Sequence, residues 1–163
     1  MTDAIRAAKV RRKVHDSWAE WLDEIPWDHY VTLTFRRNSG PDRARRTFTA
    51  WIRCLEQEAE MPLFWFVGFE DGPLNGRLHM HCLVGNTRDL PANYIAKKWK
   101  HGFSRIDLYE KDRGATHYIT KYVVKEMFDY DVSPNLARAL AARDRQPSLP
   151  GLIVQPTKRG KHV

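Results

Sequence analysis

The sequence has little cysteine: Cys54 and Cys82 are the only two in 163 residues, and no CxxC pair occurs. Neither a zinc ribbon nor a disulfide framework is therefore expected, and a reducing, cytoplasmic setting fits. Long apolar runs are missing as well. Nothing approaches the roughly 20 residues that a membrane-spanning helix needs, and the first residues lack the apolar core of a signal peptide. There is no internal repeat and no Walker-type phosphate loop, so ATP-driven work is expected of another protein. Acidic charge is in deficit. Lys and Arg number 27 against 20 Asp and Glu, a formal charge of +7, and the pI is about 9.6. That balance points to a polyanionic partner, nucleic acid ahead of an acidic membrane surface.

What is present suffices for one domain with tails, and six Trp can help to build its core. Residues 3–24 read as a basic-ended helix in which Val14, Trp18, Trp21, Leu22 and Ile25 recur at helical spacing before Pro26. Strands are expected at Trp27 to Phe35, Leu63 to Glu70, Leu78 to Val84 and Gly102 to Tyr109. Helices are expected at Asp42 to Glu60, Leu90 to Lys100 and Gly114 to Phe128. The middle of the chain is thus a βαββαβ, split-βαβ pattern, which predicts an α+β, ferredoxin-like antiparallel sheet. In that topology the first and third strands are central neighbours, placing Thr32 and Thr34 beside His79 and His81. The two crossover helices cover the opposite face. Four of the nine prolines fall after residue 128, so a short helix around Pro134 to Arg143 and then an extended tail are expected. The organisation read from this is an N-terminal helix packed on the domain (1–26), the domain itself (27–128) and a basic, proline-containing extension (129–163).

Two stretches carry chemistry. In Glu70-Asp71-Gly72-Pro73-Leu74-Asn75-Gly76-Arg77-Leu78-His79-Met80-His81 a carboxylate closes one strand and two histidines open the next. Side chains at i and i+2 leave the same face of a strand. Leu78, Met80, Cys82 and Val84 take the core face, so His79 and His81 share the other, and Glu70 can join them in holding a divalent ion. Asp71 is the fallback for the carboxylate. His29, His101 and His117 compete as ligands; His15 and His162 read as surface residues. The second stretch is Tyr118-Ile119-Thr120-Lys121-Tyr122-Val123-Val124-Lys125. Tyr118 and Tyr122 share one helix face, bordered by Lys121 and Lys125, while Ala115, Ile119, Val123 and Met127 form a separate docking stripe. A phenol is a poor nucleophile at its free pKa. A bound metal that neutralises a phosphate, with a lysine to favour the phenolate, makes it competent to attack a phosphodiester.

These residues resemble the HUH (histidine-hydrophobic-histidine) endonucleases, in particular the rolling-circle replication initiators with two tyrosines. The three motifs of that branch occur in order. They are Tyr30 to Phe35, Gly76 to His81 and Tyr118 to Lys125, and together the resemblance covers residues 28–128. It implies a sequence-specific nicking and joining enzyme for single-stranded origin DNA, dependent on Mg²⁺ or Mn²⁺. Such an enzyme forms a 5′-phosphotyrosine link and frees a 3′-hydroxyl for a polymerase. By matching positions, His79, His81 and Glu70 are the metal ligands. Tyr118 and Tyr122 are the nucleophiles, with Tyr118 preferred as the first to attack, and Lys121 and then Lys125 are the charge partners. The chain lacks the helicase domain of many relatives, so a separate helicase is an expected partner, in the cytoplasm of a bacterial, archaeal or virus-infected cell.

Single-stranded DNA wants a basic groove and aromatic platforms. Arg36, Arg37, Arg77, Lys97, Lys98 and Lys100 are the candidate DNA contacts, and Trp99 reads as core. Two alternatives stand. One keeps the chemistry in a relaxase or an HUH transposase. The other is a non-catalytic ferredoxin-like nucleic-acid-binding module with incidental histidines.

Overall fold

A computed structural model describes residues 3–71, 76–124 and 130–144. The element order is α1 (Asp3–Asp23), β1 (His29–Phe35), α2 (Pro41–Ala59), β2 (Phe64–Asp71), β3 (Leu78–Gly85), α3 (Ala92–Lys98) and β4 (Gly102–Leu108). A 3-10 turn (Lys111–Arg113), α4 (Ala115–Val124), β5 (Tyr130–Val132) and α5 (Pro134–Asp144) complete it. The strands form one sheet in the order β4-β1-β3-β2-β5, with every neighbouring pair antiparallel. This is the α+β, ferredoxin-like arrangement that the order of elements predicts, with β1 and β3 side by side at its centre.

Alternation along the strands separates two cores. Val31, Leu33, Phe35, Val67, Phe69, Met80, Cys82 and Val84 face α2 and α3, meeting Phe48, Trp51, Ile52, Leu55, Ile95 and Trp99. Trp99 is core, as expected. The other face is covered only in part. Phe66 and Leu83 pack there against Trp18, Trp21 and Leu22 of α1, Ile119 of α4 and Leu136 of α5. Burying each such large side chain contributes about 1.5–3 kcal/mol, so this second cluster is what keeps α1 and α4 on the sheet. Both cysteines are free; Cys82 is buried.

The strand β5 is not anticipated by the sequence reading, which expected only the helix after it. It extends the β2 edge, pairing Phe66 with Val132 and Gly68 with Tyr130. The Tyr130 ring stacks on Phe66 at 5.4 Å, and Asp131 takes the Arg45 guanidinium of α2 at 2.9 Å. Three residues are too few for a period-two pattern to show; the strand forms because tertiary partners wait for each of its side chains.

At the opposite edge, β4 starts hard against the end of β1. The Arg36 amide donates to the His101 carbonyl at 2.8 Å, and Gly102 pairs with Phe35. A Cβ at Gly102 would run into the Thr34 carbonyl oxygen and the Arg36 amide, backbone atoms that cannot swing aside. Gly102→Ala is therefore expected to lower stability by about 1–3 kcal/mol, the usual cost of overpacking, read as a lower midpoint in denaturant unfolding.

Candidate active site

The register of the sheet assembles the site row by row. Thr34 lies opposite His79 and Thr32 opposite His81, as expected; across β3, Glu70 lies opposite His79 and Gly68 opposite His81. Glu70, His79 and His81 therefore share the partly covered face. Asp71 pairs with Leu78, so strand parity turns it towards the other face and leaves Glu70 as the carboxylate beside the histidines.

Each imidazole is held at one nitrogen. His79 Nδ1 is 3.0 Å from the Thr34 hydroxyl. His81 Nδ1 is 3.1 Å from the Tyr30 hydroxyl and 3.4 Å from that of Thr32, and the Tyr30 ring lies nearly parallel to the His81 ring. Burial, and the nearby Tyr118, push the Tyr30 phenol well above its ordinary pKa, so it stays a neutral hydroxyl. His81 Nε2 is 3.7 Å from Glu70 Oε2. That is longer than a hydrogen bond, yet short enough for one small divalent ion to touch both, since donors sit about 2.0–2.2 Å from such ions. The donor chemistry thus fits a divalent metal. As the side chains stand, no three His, Cys, Asp or Glu among the described residues converge on one point.

Helix α4 brings Tyr118 to this face. Gly114, at φ 69°, turns the chain into the helix. Thr116 donates to Asp23 at the end of α1, which also accepts from the Tyr109 hydroxyl at 3.0 Å. Burial and that bond push the Tyr109 phenol up to about 12. One turn on, the Thr120 hydroxyl meets His15 Nε2 at 2.9 Å. His15 is thus part of the α1–α4 interface, which corrects the expectation of a surface histidine. With Thr116 and Thr120 bound to α1 and Ile119 fully buried, Tyr118 projects over the sheet. Its ring meets the His81 ring edge-on, centroids 5.3 Å apart, and it remains 43% exposed. A recess lined by Tyr30, Arg105, Asp107, Arg113 and Tyr118 opens the site to solvent.

The other expected residues fall in several places. The backbone of Lys121 and Tyr122 continues α4, but their side chains, that of His117 and all of Lys125 lie outside the described residues. His29 points to the other face, buried and bonded to Thr87 at 2.8 Å, where burial lowers its pKa; it is not near the pair. His101 packs on Phe35 and Trp99. Arg36 and Arg37 are exposed at the end of β1, and Arg77 is exposed before β3. Lys97 and Lys98 belong to α3, behind the sheet, where Lys98 lies over the Tyr94 ring at 4.7 Å; Lys100 is exposed between α3 and β4. Among the described residues no helix is long and apolar enough to cross a membrane.

A family model described as a replication-associated protein of the ORF2 type matches residues 28–127 of the chain. Among solved structures, the hypothetical protein ORF119 from Sulfolobus islandicus rod-shaped virus 1 is similar at 20% identity with a TM-score of 0.46, over 72% of this chain and 91% of that one. No curated protein matches.

Proposed function

Because the chain belongs to this ORF2-type family of replication-associated proteins, we propose that it initiates replication by nicking and rejoining single-stranded DNA through a tyrosine, as an HUH endonuclease. The observation that carries this reading is the contact of Tyr118 with His81. It puts a solvent-accessible phenol on the same sheet face as two imidazoles and a carboxylate.

In this reading His79 and His81 hold a divalent ion through Nε2, with Glu70 as the third ligand. Nδ1–H of each ring then donates to Thr34, and to Tyr30 or Thr32, whose hydroxyls rotate to accept. Such outer partners fix the tautomer and the ring plane. When bound, Mg²⁺ or Mn²⁺ neutralises charge on the scissile phosphate. The Tyr118 oxygen bonds to phosphorus, its proton passing to a base, as the bond from phosphorus to the 3′-oxygen breaks and that oxygen takes up a proton. The ester retains the bond energy, so the reverse reaction rejoins the strand without ATP. Tyr122, one helical turn on, is the second nucleophile, and Lys121 and Lys125 are the charge partners. A helicase and a polymerase are the partners that such a nick requires.

The test is a denaturing gel of the protein with labelled single-stranded oligonucleotides and Mn²⁺. A covalent adduct that forms with Mn²⁺ and disappears with EDTA is expected; its absence from every origin-containing oligonucleotide would sink the reading. The outer hydroxyls give a finer check. Thr34→Val keeps the shape of the side chain and removes the partner of His79 Nδ1, so Mn²⁺ affinity, measured by titration calorimetry, is expected to fall about 10- to 100-fold.

A further inference from the structure

Six large hydrophobic side chains stand exposed among the described residues, and the two aromatic ones are Tyr118 and Phe103. Phe103 is 63% exposed and belongs to no core cluster. Its register says where it points. Thr34 pairs with Phe103 on one side and with His79 on the other. The row Glu70, His79, Thr34, Phe103 therefore crosses four strands on one face, with Phe103 about 10 Å from His79 at two strand spacings. Ile106, of opposite parity, packs into the core behind the sheet, so parity presents Phe103 to the face that carries the site. An edge strand is ordinarily blunted with charge. Here Arg105 and Asp107 supply charge, and an unburied phenyl ring lies beside them.

The surface next to this ring is cationic. Two residues before Phe103 comes His101, and two after Thr34 comes Arg36, each about 7 Å along its strand. Both line a recess with Phe35, Arg37, Ser39 and Arg43. No carboxylate is among those lining residues, and Arg36, Arg37 and Arg43 are all exposed.

The geometry points to a nucleotide subsite outside the catalytic residues: one base of the bound single strand stacks on Phe103, and a neighbouring phosphate enters the arginine recess. It rests on the proposed reading only in taking single-stranded DNA as the ligand. A ring face accepts any base, and guanidinium groups match phosphate oxygens, so the subsite holds the strand beside the scissile phosphate without selecting sequence.

The test uses the full chain in EDTA, where binding is read without cleavage, by fluorescence anisotropy. The probes are labelled oligothymidylate and an abasic strand of equal length. Phe103→Ala is expected to weaken oligothymidylate binding by about 5- to 150-fold, the range for one base–aromatic stack. It should leave the abasic strand unaffected, and Phe103→Trp should retain the preference for bases. Replacing Arg36, Arg37 and Arg43 together by Gln should reduce the slope of log affinity against log salt by about 0.7 for the phosphate lost. Equal losses on both strands, or none, would overturn the stacking role, and an unchanged salt slope would overturn the recess. If light scattering showed a dimer that Phe103→Ala dissolves, the ring would belong to a β4 edge contact between copies and the subsite would be wrong. A wild-type protein that formed no adduct with Mn²⁺ would remove the nicking reading and leave this binding result standing.

Discussion

Tyr118→Phe is expected to reduce adduct formation on the order of a thousandfold or more, the scale seen when a nucleophile is deleted. The change removes one oxygen, the atom that would bond to phosphorus, and keeps the ring against the edge of His81. Tyr118 is 43% exposed, so folding stability should move by no more than about 0.5 kcal/mol, and DNA binding in EDTA should persist. Loss of chemistry with fold and binding retained separates a nucleophile from a packing residue. Tyr122 follows at i+4, one turn further on, and the adduct itself can tell the two apart, because the DNA-linked peptide reports which phenol was attacked. An adduct of wild-type yield that maps to Tyr122 would make Tyr122 the first nucleophile. An adduct that survives Tyr118→Phe combined with Tyr122→Phe would end the tyrosine mechanism.

The features of this site that repeat at short range were legible in the sequence. His79 and His81 alternate with Leu78, Met80 and Cys82, so burying the apolar set forces the histidines onto the other face, and β3 obeys that rule. The pairing of Thr32 and Thr34 with them followed from topology, because a split βαβ leaves β1 and β3 no other neighbours at the centre. What stayed hidden depends on tertiary partners. The hydroxyl bonds to Nδ1 are set by rotamers, which no spacing encodes. His15 looked solvated because its helix begins basic; only the docking of α1 on α4 gives it Thr120. Phe103 was read as an ordinary strand residue, since an isolated aromatic in a strand is usually core. Its exposure follows from β4 being an edge strand whose site face α1 and α4 leave open.

His81→Ala is expected to abolish cleavage about as completely as chelation does. His81 is the residue on which the site converges: Tyr30 and Thr32 at Nδ1, Glu70 at Nε2 and the Tyr118 ring at its edge. Charge stabilisation by a metal at a phosphate is worth several kcal/mol, and each 1.36 kcal/mol is about tenfold in rate, so a loss of about a thousandfold or more follows for His81→Ala and for EDTA alike. The alanine also leaves a gap beneath Tyr118, because the His81 side chain is only 14% exposed, and some stability should go with it. His81→Gln separates the two effects. It refills the gap and can keep an amide N–H towards the hydroxyls, yet it is a poor ligand for Mn²⁺. If stability returns with Gln while cleavage does not, the imidazole acts through the metal. If Gln restores cleavage along with stability, His81 serves packing alone. Wild-type cleavage at full rate in EDTA would remove the metal from the mechanism altogether, and the His79–His81 pair would be left as a hydrogen-bonded support for Tyr118.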